Sequence, residues 1–326
     1  LSGIGLFWAH QALTQSFSET ALLFSRTQPG GSARIQGMGG TQIALGGDYS
    51  SAYSNPAGLG MFNRSEATFT PAINFSNVSA DYLNQTTNSS KSTFNIPGLS
   101  LTFHNSDLKI KGLQGGTFSI SYSRINDFNR NLNYHGTNED NSIIDYFIED
   151  ATGGTPDQFK SGGALYNTPT ELAYDNYLIG EATLLDPANS NTEYFTDVAG
   201  IPVQHEIIET RGAQNQWNFS YGANFNDKVF IGAGVGLASI RYTSKKIYTE
   251  DFVDEPLSDL LLEETLEIRG PGINATLGTI FRPADFIQFG ASATTPTAYH
   301  LTDSYSASMN TSWKNFEYLP GEFIND

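Results

Sequence analysis

From residue 66 onward the chain repeats with a period of two, and this limits its fold more than any other feature. Ala67, Phe69, Pro71, Ile73 and Phe75 alternate with Thr68, Thr70, Ala72 and Asn74. Leu99, Leu101 and Phe103 alternate with polar neighbours, and so do Phe118, Ile120 and Tyr122. Trp217, Phe219, Tyr221, Ala223 and Phe225 do the same against Asn218, Ser220, Gly222, Asn224 and Asn226. Ile231 to Leu237, Ile273 to Phe281 and Ile287 to Ala293 complete the series. Successive side chains of a strand point to opposite faces, so each run has one apolar and one small or polar face. That predicts about seven or eight antiparallel strands.

The placement of charge sharpens this. Charged residues are 16% of the chain, against about 25% in ordinary soluble domains. Residues 129–211 hold 14 acids and 3 bases, and residues 250–267 hold 8 acids and no base. These two stretches therefore carry 22 of the 34 acids, while the strands are nearly uncharged. Asn226-Asp227-Lys228 and Arg282-Pro283-Ala284-Asp285 read as short turns. Short turns at one end and long polar loops at the other predict a membrane β-barrel; a soluble sandwich spreads charge along its exposed faces. Tyr82, Phe128, Tyr134, Tyr242, Tyr248, Tyr299 and Tyr305 lie near strand ends and are expected to form an aromatic girdle. A soluble β-sandwich is the competing reading.

Other classes are excluded. The chain has no cysteine, so it is no disulfide scaffold, and its net charge of −17 opposes nucleic acid binding. No apolar run is long enough for a spanning helix. The five histidines lack metal-ligand spacing, and no Ser-nucleophile motif accompanies His300 and Asp303. No enzymatic activity, metal or cofactor is expected. Gly232-Ala233-Gly234-Val235-Gly236 lies inside a strand pattern, where it makes room for a packed segment instead of cradling a nucleotide.

Residues 1–14 resemble the tail of a signal peptide, with Ala12-Leu13-Thr14 before Gln15 as the cleavage site, and imply export. Ser16 and Glu19 suggest a capping box that starts a short helix through Ala21, Leu22 and Phe24. Residues 15–64 are glycine-rich and irregular, with expected glycine turns at Gly37, Gly39, Gly40, Gly46 and Gly47. Asn55-Pro56 forces a turn. Residues 65–326 then form the strand region, with a long acidic loop at 129–211. Within that loop Thr168-Pro169-Thr170-Glu171 and Ile143 to Ile148 predict two short helices folded over the mouth.

Ser32-Ala33-Arg34, Gly37-Met38-Gly39-Gly40, Ala44-Leu45-Gly46-Gly47-Asp48 and Asn55-Pro56-Ala57-Gly58-Leu59-Gly60 resemble the FadL/TodX family of outer-membrane transporters, in particular its Bacteroidetes branch. Pro296-Thr297-Ala298-Tyr299 and Asp303-Ser304-Tyr305 are similar to the same branch, and the likeness runs loosely over residues 18–312. The resemblance implies a fourteen-stranded barrel in the Gram-negative outer membrane, about half of it present here, plugged by an N-terminal hatch. It implies uptake of hydrophobic compounds such as long-chain fatty acids, gated by Asn55, Pro56, Ala57 and Gly58. It also implies a lateral exit where strand pairing fails, for which Pro97-Gly98 is the candidate kink. The expected partners are a hydrophobic ligand, outer-membrane lipids and lipopolysaccharide. A secretion-associated barrel with a protein partner is the alternative.

Overall fold

The computed structural model describes residues 20–26, 30–106, 112–181, 193–198, 200–253 and 256–314. The signal-peptide and capping-box readings at residues 1–19 lie outside these. The wall is an antiparallel sheet curled into a half-barrel. In chain order it contains β1 (Glu66–Tyr82), β2 (Gln85–Asn105), β3 (Leu113–Asp127) and β4 (Arg130–Thr137). After an insert holding the two-residue ribbon β5 (Gly180–Glu181) and β6 (Tyr194–Phe195) come β7 (Pro202–Phe225) and β8 (Val229–Phe252). Then follow β9 (Leu257–Ala284), β10 (Ile287–Thr294), β11 (Ala298–Tyr299) and β12 (Thr302–Trp313). β3 and β4 are two stretches along β7, and β10, β11 and β12 are three stretches along β9. The described wall is thus seven long strands, each paired with the next, as the period of two predicts.

The turns explain the back-and-forth path. Leu83-Asn84 and Asn226-Asp227 are left-handed pairs, with φ of 46° and 62°, and 52° and 57°. Such pairs match the right-handed twist of a hairpin, and Asn and Asp tolerate the conformation best. One end of the wall carries 226–228 and 285–286. The other end carries 83–84, the insert 138–201 and the link 253–256.

The wall is inside-out compared with a soluble sheet. Its concave face buries Ser100, Thr102, Thr117, Ser119, Ser121, Gln216, Asn218, Ser220, Asn274 and Thr276. Its convex face exposes Phe69, Ile73, Phe75, Phe103, Phe219, Ile231, Leu237, Ile273, Leu277 and Phe289. Along β9 the pattern then reverses. The outward positions read Phe281, Leu277 and Ile273, followed by Arg269, Glu267, Glu263 and Asp259. The inward ones read Thr276 and Asn274, followed by buried Ile268, Leu262 and Leu260. Towards the insert end the sheet is therefore built like one in water.

The insert covers that end. α3 (Ile143–Ala151) begins at Ser142 with a complete capping box to Asp145, and α4 (Pro169–Asp175) begins at Thr168. Ile144, Phe147, Phe159, Ala173 and Leu178 pack against Phe252, Leu257, Leu260, Leu262 and Met309. Glu250, fully buried, accepts bonds from Ile143 N at 2.8 Å, Gln204 Nε2 at 2.8 Å, Tyr248 at 2.8 Å and Ser142 Oγ. Burial first, then the hydrogen bond to Glu181, pushes the Tyr174 phenol up to about 12.

Three expectations are corrected. Residues 250–267 form no long loop: β8 runs to Phe252 and β9 starts at Leu257. Glu250, Asp251, Asp259, Glu263, Glu264 and Glu267 sit on strand faces beyond the apolar band. The loop 129–211 shrinks to 138–201, because β4 and β7 extend into it. The aromatic girdle is also misplaced. Phe128 and Tyr242 meet Phe24 of the helix at 20–25, with ring centroids 5.6 and 5.8 Å away. Tyr299 receives a bond from Gln214 at 2.6 Å, and Tyr82 meets Tyr134 in a tilted ring pair with centroids 4.8 Å apart. Strand parity turns the tyrosines inward, and the outward aromatic residues include Phe69, Phe75, Phe94, Phe103, Trp217, Phe219, Phe281 and Phe289.

Candidate functional site

Residues 30–64 lie against the concave face at the short-turn end. They form α1 (Ala33–Gly37), α2 (Ser51–Ser54) and a 3-10 turn, Pro56–Met61. Ser32 caps α1, and its hydroxyl donates to Asp48 Oδ2 at 2.6 Å. The other oxygen of Asp48 takes Ser50 N at 2.9 Å, and Ser50 Oγ takes Ser32 N at 2.9 Å. This closed knot holds an apolar-poor segment compact.

Asn55 ends α2 and caps the 3-10 turn, accepting from Ala57 N at 3.1 Å, with Pro56 at the first turn position. It is fully buried. Its amide nitrogen donates to Ile43 O at 2.6 Å and reaches Thr279 O at 3.2 Å and Ala291 O at 3.4 Å. Thr279 and Ala291 face each other on β9 and β10. One side chain therefore ties the segment to itself and to two wall strands. Ala57 and Leu59 are likewise fully buried, Ala57 against Phe230 and Ile280.

Glycine makes this contact possible. Gly222, Gly232 and Gly278 are direct neighbours across β7, β8 and β9. A Cβ on Gly222 or Gly232 would strike the Pro56 backbone, and one on Gly278 would strike Asn55 Oδ1. Gly290 on β10 lies under the Ile43 carbonyl in the same way. Of the glycines expected in the segment, Gly39, Gly40 and Gly47 adopt positive φ of 66°, 80° and 71°. Gly46 gives room to Met61, and Gly58 to Ser51 and Leu45. Gly37 ends α1 with nothing near it, so no close approach explains it.

Pro97-Gly98 marks a change in the wall. β2 pairs with β3 only from Gly98 to Asn105, opposite Ser123 to Gly116. The β1–β2 register also slips here, between Thr70 and Ala72. Towards the insert end, side chains replace the backbone ladder. Asp127 Oδ2 accepts from Arg124 at 3.1 Å, Asn74 at 3.4 Å and Asn95 at 3.5 Å, and Lys91 donates to Asn131 at 2.8 Å. Tyr49, 2% exposed, touches this point from inside and lies 3.2 Å from Thr70 Oγ1.

The structure thus brings Asn55, Pro56 and Ala57 onto the wall, Gly58 against Ser51 and Leu45 within the segment, and Gly98 against Tyr49. Sequence reasoning missed Tyr49, Asp127 and the glycine row apart from Gly232. The row is visible only once strand register is known.

No protein-family model matches the chain, and no curated protein matches it. Among solved structures the chain is similar to the CymD monoaromatic hydrocarbon channel, at 9% identity, over 89% of this chain and 98% of that chain, with a TM-score of 0.16.

Proposed function

We propose that the chain forms wall and hatch of an outer-membrane β-barrel that takes up hydrophobic compounds, long-chain fatty acids among them, without covalent chemistry. One observation carries the membrane reading: the outward face is apolar and the inward face is Ser, Thr, Asn, Gln and Gly. Water would favour the opposite arrangement, and a contiguous exposed apolar band of this size needs a non-aqueous neighbour. The band ends where β9 reverses its pattern, so the insert end faces the outside medium and the short-turn end the periplasm.

In this reading residues 30–64 are the hatch, and Asn55 is its latch. The latch reaches the wall through two long bonds, 3.2 Å to Thr279 O and 3.4 Å to Ala291 O, so a small shift of the segment releases it. A ligand that binds the released arrangement better than the seated one would open the path by population shift. The exit lies between β2 and β3 beyond Gly98, where side chains alone bridge the strands. Parting side-chain bonds costs less than parting a ladder in lipid, where backbone groups have no other partner.

The test is uptake of labelled oleate by cells carrying the whole protein with Asn55, Pro56 and Ala57 replaced. The expected result is slowed uptake with unchanged heat-modifiable mobility in gels. Unchanged uptake would remove the gating role.

A further inference from the structure

We infer that the convex face carries a binding site for a phosphorylated glycolipid headgroup, at the level where the apolar band ends. The inference rests on the membrane reading above. A groove of about 700 Å³ opens there, lined by Arg124 of β3, Arg241 of β8, Arg269 of β9, Asn215, Ser239 and Thr302. Three wall strands thus each place an arginine at this level. The chain has only 17 basic residues and a net charge of −17, so this gathering is not a consequence of composition.

Arg241 and Arg269 stand directly opposite each other on β8 and β9. Like charges in that relation destabilise a sheet. Arg124 is neutralised by Asp127 at 3.1 Å, whereas among the described residues neither Arg241 nor Arg269 has an acid within ion-pair distance. Glu267, the nearest outward acid along β9, lies two residues beyond Arg269, away from the band. Nearby, Arg211 is held by Glu209 at 2.7 Å. An anion bridging Arg241 and Arg269 would turn their repulsion into two charge-assisted contacts. Arginine's planar fork suits phosphate oxygens for this purpose.

The surroundings select a lipid over a free ion. The residues below the arginines on the same faces are Leu237 and Ile273, with Trp217 beside them, all exposed. The floor of the groove is small, with Ala213 beside Arg241 and Pro271 beside Ser239. A headgroup phosphate seated between the arginines leaves its acyl chains running down the apolar band. The neutral donors Asn215, Ser239 and Thr302 then face the sugar.

The test is titration of the detergent-solubilised whole protein with bisphosphorylated hexa-acyl lipid A, read by native mass spectrometry. Dephosphorylated lipid A and inorganic pyrophosphate are the comparison probes. Arg241→Gln with Arg269→Gln should weaken lipid A binding by about tenfold or more per arginine. Heat-modifiable mobility should stay unchanged, because both side chains lie on the surface. Arg241→Lys with Arg269→Lys should retain part of the affinity, and the dephosphorylated lipid should bind like the Gln variant. Equal binding by wild type and Gln variant would overturn the site. Equimolar pyrophosphate displacing the lipid would overturn its assignment to a lipid. Either result in a protein that still inserts into bilayers leaves the transport reading standing, whereas failure to insert would remove that reading itself.

Discussion

Tyr49 packs against the backbone of Gly98 so closely that any side chain at 98 would run into its hydroxyl. The contact joins the N-terminal segment to the place where β2 leaves β3. Gly98→Ala should therefore unseat Tyr49 and raise hydrogen exchange across residues 45–60. Tyr49→Phe alone loses one hydrogen bond to Thr70, worth about 0.5–1.5 kcal/mol. In the double variant the missing hydroxyl should restore part of the protection lost in Gly98→Ala. Strictly additive effects in this cycle would mean that the two residues do not communicate.

Asn55 allows a test of charge. Asn55→Ala should cost about 1–3 kcal/mol, since buried Ala57 N and part-buried Ile43 O lose a partner. Asn55→Asp places a carboxylate among three carbonyl oxygens with burial and no cation. Its folded pKa must rise above the ordinary value of about 3.9. A raised pKa gives stability at low pH that is lost as pH climbs through the folded value. The Asp variant should thus match or exceed the Ala variant near pH 4 and fall below it at pH 8, read as hydrogen-exchange protection corrected for intrinsic rate. A pH-independent ranking would contradict the burial of this position.

Asp127 holds the unladdered stretch of β2 to β3. Asp127→Ala removes one acceptor from Asn74, Asn95 and Arg124, at a cost of about 1–3 kcal/mol. Faster exit of a fluorescent fatty acid from reconstituted protein is expected, with unchanged equilibrium affinity. Slower exit would place the path elsewhere.

The chain has no cysteine, so single nitroxide labels can be placed freely. Along the outward positions of β9, labels at 281, 277 and 273 should be relaxed by oxygen, which concentrates in lipid. Labels at 267 and 263 should respond to an aqueous nickel chelate. The crossover is expected between Ile273 and Arg269. Uniform response to the chelate along the strand would exclude a membrane around this wall.

Strand existence was legible because Ser, Thr and Asn between Phe, Ile and Leu leave a clean period of two. The insert helices were legible too, one from the local cap at Thr168 and the other from the apolar spacing of Ile143, Ile144, Phe147 and Ile148, although the Ser142 capping box was not read. The far part of β9 was not. Leu260-Leu261-Leu262 interrupts the alternation, and the exchange of polar and apolar faces there reads as a charged loop. Inward Tyr242 and Tyr248 were mistaken for girdle residues because period alone does not say which face is which. Of the candidate site, the Asn-Pro turn was local and visible. Its seat depends on Gly222, Gly232 and Gly278, which only pairing brings side by side.

The grip of Asn55 also constrains the order of events during biogenesis. Its amide bonds to Thr279 and Ala291, more than 200 positions along the chain, and these carbonyls come together only once β9 and β10 have paired. The part of the polypeptide that emerges early must therefore wait, unseated, until strands made much later are in place. Until then the Asn55 turn has no wall to close on and stays open to any chaperone that holds the chain.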